Sequence, residues 1–100
     1  MVLTSSQRAR LRQIGQKMAD DIHLGKAGLS AAFIGRLQRL LASKELVKLR
    51  FGREVQGPAR QELAQQVAAA GEAQVAAVTG RTMLLYRANP DLDAAKRITI

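Results

Sequence analysis

A single α/β domain, with helices packed on a mixed sheet, follows from three features of this sequence. Segments whose apolar residues recur at helical spacing alternate with short segments whose apolar residues recur at every second position. Thr79-Gly80-Arg81 separates the last two alternating runs and reads as a tight hairpin. The 100 residues, 47% of them hydrophobic, suffice for one core and no second domain. Strands that alternate with helices need crossover connections, so the expected order is α-β-α-β-α-β-β, with one antiparallel hairpin closing a four-stranded sheet.

Thr4-Ser5-Ser6-Gln7 has the form of a capping box, and a helix is expected from there to about Met18. Leu11, Ile14 and Met18 would be its buried stripe. Arg10 and Lys17, seven residues apart, share a face, and Arg8 and Arg12 widen the basic surface. Gly15 either permits close packing of this helix or loosens it. Asp20 and Asp21 end the helix or cap a turn, and Ile22 and Leu24 flank His23 as a short strand. After Gly25-Lys26-Ala27-Gly28, a second helix runs from Leu29 or Ser30 to Ser43. Its core stripe is Leu29, Phe33, Leu37 and Leu40 or Leu41, flanked or opposed by Arg36 and Arg39.

Val47, Leu49 and Phe51 alternate with Lys48 and Arg50, which predicts a strand whose basic face lies on the uncovered side of the sheet. Gly57-Pro58 opens a third helix that reaches about Ala70, with Gly71 just past its end. Residues 73–78 and 82–87 are the hairpin strands. The domain is expected to span residues 1–88, and the polar stretch 89–100 to be a loosely held tail.

The chemistry on offer is that of binding. There is no cysteine, and His23 is the sole histidine. No metal-ligand set or nucleophile–base pair can be assembled from these residues. Asp20 and Asp21 are adjacent, which is poor geometry for general acid–base work. Gly-Lys-Ala-Gly lacks the spacing of a nucleotide-binding P-loop. The expectation is therefore no catalytic residue, metal, cofactor or small-molecule substrate. No apolar run approaches the ~18 residues of a membrane span, and "MVLTSSQRAR" has no signal-peptide hydrophobic region. A soluble cytoplasmic protein is expected.

The formal net charge is +8. Residues 1–53 carry eleven basic and three acidic side chains; residues 54–100 carry five of each. The excess lies wholly in the half with the glycine loop, which suggests a polyanionic partner, nucleic acid ahead of an acidic membrane surface. A glycine pair lets backbone approach a ligand, a helix starting there would aim its free N–H groups and positive dipole end at the loop, and Lys26 adds a mobile charge. A G-x-x-G loop entering a helix is what KH domains use to clamp a nucleic-acid backbone; a tight structural turn is the competing reading. Phe33 and Phe51 fall on core positions, and Tyr86 is expected to be partly buried on its strand. An aromatic stacking platform is thus not expected, and binding would rest on backbone and shape.

Four stretches, "LTSSQRARLRQIGQKM", "LGKAGLS", "ELVKLRF" and "TGRTMLLYR", fall in the order and spacing of the CRM (CRS1–YhbY) RNA-binding domain. The resemblance covers residues 3 to 87, with a looser match in "KRITI", and the chain is similar to the single-domain bacterial YhbY-type proteins. It implies a fold akin to the C-terminal domain of translation initiation factor three, and association with precursors of large-subunit ribosomal RNA or pre-ribosomal particles. By the same resemblance Gly25, Lys26, Ala27 and Gly28 form the RNA-contacting loop, Ala27 contributing backbone only. Arg8, Arg10, Arg12, Lys17, Arg36, Lys48 and Arg50 would extend the surface. A DNA-binding domain, or a protein–protein adaptor using the apolar "TMLLYR" edge, are the rival readings.

Overall fold

A computed structural model describes residues 2–100 and has the expected order of elements. These are α1 (Ser5–Gln16), β1 (Ile22–Leu24), α2 (Ala31–Lys44), β2 (Leu46–Phe51), α3 (Gly57–Gly71), β3 (Gln74–Thr79) and β4 (Thr82–Tyr86), with one 3-10 turn at Ala94–Lys96. The sheet order is β1-β2-β4-β3; β1 pairs parallel with β2, and β4 pairs antiparallel with both β2 and β3.

Successive strand residues face opposite sides, and here both sides are covered. Val47, Leu49, Phe51, Met83 and Leu85 lie under α2 and α3, against Leu37, Leu41, Ala64 and Val67. Leu46, Leu84 and Tyr86 lie on the other side, against Leu3 and Leu11. The sheet is the middle of three layers. The expectation that Lys48 and Arg50 lie on an uncovered face is therefore corrected for Lys48, over which α1 packs, while Arg50, at the end of the strand, stays exposed. The Lys48 ammonium donates to the carbonyls of Gly15 (3.1 Å) and Met18 (3.2 Å), where a cation also meets the negative end of the helix dipole.

The capping box of α1 is formed: Thr4 Oγ1 accepts from the Gln7 amide at 3.1 Å and Gln7 Oε1 from the Thr4 amide at 2.9 Å. The helix stops at Gln16, two residues short of expectation, because its end tightens into three-residue bonds, Lys17 N–H to Ile14 and Met18 N–H to Gly15. Met18 still packs on the same core. Gly15 serves close packing: a Cβ there would stand 2.5 Å from Leu84 Cδ1. α2 begins at Ala31, behind a Ser30 cap whose Oγ accepts from the Phe33 amide at 3.1 Å. α3 includes Gly71, and the left-handed position falls on Glu72 (φ 53°) instead. The reason is again packing, since a Cβ at Gly71 would lie 3.0 Å from Leu41 Cδ1.

The tail is fastened, contrary to expectation, and Glu45 fastens it. This residue is wholly buried between α2 and β2, in the left-handed region at φ 63°. Its carboxylate accepts from the amides of Asn89 (2.6 Å) and Ile98 (2.8 Å) and from Arg97 Nε (3.2 Å). Its carbonyl accepts from the Arg87 amide at 2.8 Å. Ile98 and Ile100 then pack on the α1-side core. Burial pushes the Glu45 carboxyl up, but the Asn89 and Ile98 amides and the Arg97 guanidinium outweigh it and hold the carboxyl below its ordinary value. Tyr86 beside it is pushed up, first by burial and then by the Glu45 charge.

Two measurements check this packing. A folded-state pKa below the unfolded one means that the Glu45 carboxylate stabilises fully above the ordinary value of 4.5 and less as acid titrates it further down. Glu45→Gln should cost about 1–3 kcal/mol at pH 7 and flatten the loss of stability below about pH 4.5, read by urea unfolding at several pH values. Gly15→Ala gains up to about 1 kcal/mol of helix propensity but meets Leu84 at an overpacking cost of about 1–3 kcal/mol. A net loss is expected, and it should vanish in the Leu84→Ala background of a double-mutant cycle.

Candidate nucleic-acid interface

The pairing of the strands decides which loops meet. Leu24 lies opposite Phe51 in the parallel pair, and Arg50 lies opposite Thr82 in the antiparallel one. The ends of β1 and β2 and the start of β4 therefore converge on one edge of the sheet, bringing together residues 25–30, 52–56 and 79–82.

The first of these loops is a turn in which the Gly28 amide donates to the Gly25 carbonyl at 3.0 Å and the Ser30 amide to the Gly28 carbonyl at 2.9 Å. Gly28 has φ +64° and needs to be glycine for that reason. Gly25 does not have a positive φ, and a Cβ on either glycine would meet nothing within 4 Å. The space before the loop is open. Among the described residues, the amides of Lys26, Ala27 and Leu29 find no protein acceptor. The helix itself does not open at the loop, as the sequence suggested. Leu29 and Ser30 intervene, and one of the helix's free N–H groups is already taken by Ser30. The donors that the loop presents are mainly its own.

The second loop is tied to the first by the Gly52 amide, which donates to the Leu24 carbonyl at 3.0 Å, and a turn from Gly52 to Val55 lifts Arg53 outward. Arg60 joins the second loop to the third, donating to the carbonyls of Val55 and Gly80, both at 3.1 Å. The Phe51 amide holds the Arg81 carbonyl at 2.7 Å.

Between these loops lies a cleft of about 410 Å³ whose charged lining is Lys26, Arg50, Arg53 and Arg81 with one carboxylate, Glu54; His23 and Gly25 line it too. Lys26, Arg53 and Arg81 are exposed, and among the described residues none of them has a carboxylate within 4.0 Å. Arg50 is paired, its Nε 2.6 Å from Asp20 Oδ2. The hydrogen bond from Arg50 holds the Asp20 carboxyl below its ordinary value. His23 is exposed, 3.9 Å from the same carboxylate. Among the described residues no cluster of acidic and histidine side chains could hold a metal ion, and no helix is long and apolar enough to cross a membrane.

The residues singled out from sequence divide accordingly. Gly25, Lys26 and Arg50 line the cleft, and Ala27 and Gly28 complete its loop. Arg36 stands exposed on α2, one turn past its start. Arg8, Arg10, Arg12 and Lys17 are exposed on α1, in the layer across the sheet; Arg12 faces Thr79 and Thr82, whereas Arg10 and Lys17 flank Met18. Lys48 is turned under α1. Arg53 and Arg81 were missed. Each follows a strand end or hairpin glycine, so the signal was their place just past the alternating runs rather than any motif.

The family model of the CRS1/YhbY (CRM) domain matches residues 3–87. Among solved structures, the chain is similar to the solution structure of the hypothetical protein SAV1595 from Staphylococcus aureus, to which RNA binding is attributed. The TM-score is 0.79 at 23% identity, over 92% of this chain and 95% of that one. At that identity the likeness establishes the fold. No curated protein matches the chain.

The two loop glycines should part company under substitution. Gly28→Ala should cost about 1–2 kcal/mol, the penalty of the left-handed region, whereas Gly25→Ala should stay within about 0.5 kcal/mol. Equilibrium unfolding of both variants measures the contrast.

Proposed function

The chain belongs to the CRS1/YhbY (CRM) domain family, and on that premise we propose that it binds RNA through the cleft at the loop edge of its sheet. One observation carries the reading: three loops distant in sequence bring Lys26, Arg53 and Arg81, all without acidic partners among the described residues, around a turn with free backbone amides. Such a site suits phosphates. The cations supply sequence-independent attraction, and the amides of Lys26, Ala27 and Leu29 supply directed hydrogen bonds that fix the strand's position. Gly25 leaves the backbone bare where a phosphate would approach.

The role is that of a non-catalytic binding protein. Its target is precursor ribosomal RNA of the large subunit, as the family resemblance suggests, and its place of action the cytoplasm. Arg36 on α2, and the exposed arginines of α1, extend the attractive field without joining the cleft. Structured or single-stranded RNA is favoured over duplex DNA, because the site is a short concave turn with no helix presented for a major groove.

Anisotropy titrations of labelled RNA across a salt series test this. With about four phosphates neutralised on single-stranded RNA, the log–log slope should be roughly −3. Lys26→Ala, Arg53→Ala and Arg81→Ala should each weaken binding alike on different sequences and reduce the slope by about 0.7. A slope near zero, or tighter binding of duplex DNA, would overturn the reading. Sequencing RNA crosslinked to the protein in cells identifies the target.

A further inference from the structure

A second cleft lies on the other side of the β3–β4 hairpin, between that hairpin and α1. It has a volume of about 140 Å³ and opens to solvent. The buried Gly15 and Leu84 and the half-buried Ala77 line it with apolar surface, and Arg12, Lys48 and Thr82 add polar groups. Leu84 packs against Gly15, and the small Ala77 beside it leaves the space open. Nothing in the phosphate-binding reading uses this space.

From its size and its polar groups we infer that this cleft takes one unstacked pyrimidine base. The inference rests on the RNA-binding reading above and adds a base-recognition subsite to it. A cavity of about 150 Å³ accommodates a single six-membered aromatic ring, so one pyrimidine ring is matched in size to this cleft, whereas part of a purine's fused rings would project from its open side. The apolar surface matches a ring face. The polar groups match a ring edge. Lys48 has three N–H donors, of which two are used on the Gly15 and Met18 carbonyls. Among the described residues the third has no protein acceptor. Uracil and cytosine both carry a carbonyl oxygen that can accept from it. The Thr82 hydroxyl donates to the Thr79 carbonyl at 3.0 Å, which leaves its oxygen free to accept from the base. The exposed Arg12 also lines the cleft, and a guanidinium stacks readily on a ring face. The hairpin joins the two sites: Arg81 lines the phosphate cleft, and Thr79 and Thr82, on either side of its tip, line this one. A strand crossing the hairpin can place a phosphate in the first and the neighbouring base in the second.

Uridine monophosphate and adenosine monophosphate, titrated separately into ¹⁵N-labelled protein, provide the test. Uridine monophosphate should shift the amides of Gly15, Gln16, Thr79 and Thr82 and bind there at least fivefold more tightly than adenosine monophosphate. Ala77→Leu, which fills the cleft, should abolish those shifts. Gln16→Trp, at an exposed position on the cleft's margin, is the second variant should Ala77→Leu unfold. Equal affinity for the two nucleotides, or shifts confined to residues 25–29, would overturn the inference while leaving the phosphate site intact. Shifts in this cleft without any salt-dependent RNA binding would uphold the subsite and overturn the broader reading instead.

Discussion

The parallel pairing of β1 with β2 is the constraint from which the rest of the molecule follows. Parallel neighbours end at the same edge of a sheet, so Leu24 and Phe51 deliver their following loops to one place. A parallel pair also requires a crossover, and α2 supplies it, packing over the face that Val47, Leu49 and Phe51 present. Antiparallel β4 then starts where β2 ends, which brings the hairpin to the same edge. Had β1 run antiparallel to β2, the glycine loop would sit at the far end of the sheet from Arg53 and Arg81, and no cation-lined cleft would exist.

The same architecture sorts the positive charges. Three of the eleven basic side chains of the first half are used within the fold. Lys44 pairs with Asp21, Arg50 with Asp20, and Lys48 holds the end of α1. Partly exposed ion pairs of this kind contribute about 0–1 kcal/mol each to stability, so their main effect is positional. They lock the connector between α1 and β1 in place, and they leave Lys26, Arg53 and Arg81 as the cleft cations with uncommitted charge. A count of lysines and arginines along the chain cannot make that distinction, because it depends on which carboxylate each side chain reaches.

Glycine shows a comparable division of labour. At positions 15 and 71 the missing Cβ makes room for leucine side chains across a helix contact. At 28 and 80 it permits a positive φ. At 25 neither reason holds, and the bare backbone there borders open space beside Lys26. Of these glycines, that is the one for which the fold itself offers no structural need.

The sequence by itself determined the order of the elements, the capped start of α1, the alternation of β2, the hairpin and the position of the glycine loop. All of these arise from interactions between residues at most a few positions apart, which periodicity and capping residues express directly. The tertiary structure alone decided that β2 is covered on both faces, that the tail is bound, and that Arg53 and Arg81 join Lys26. Glu45 illustrates why. Flanked by Lys44 and Leu46, it looks like an ordinary turn residue, yet its carboxylate is satisfied by the amide of Ile98, 53 positions away. Such a contact exists only once strand register has brought distant segments together, and no local pattern of residues encodes that register.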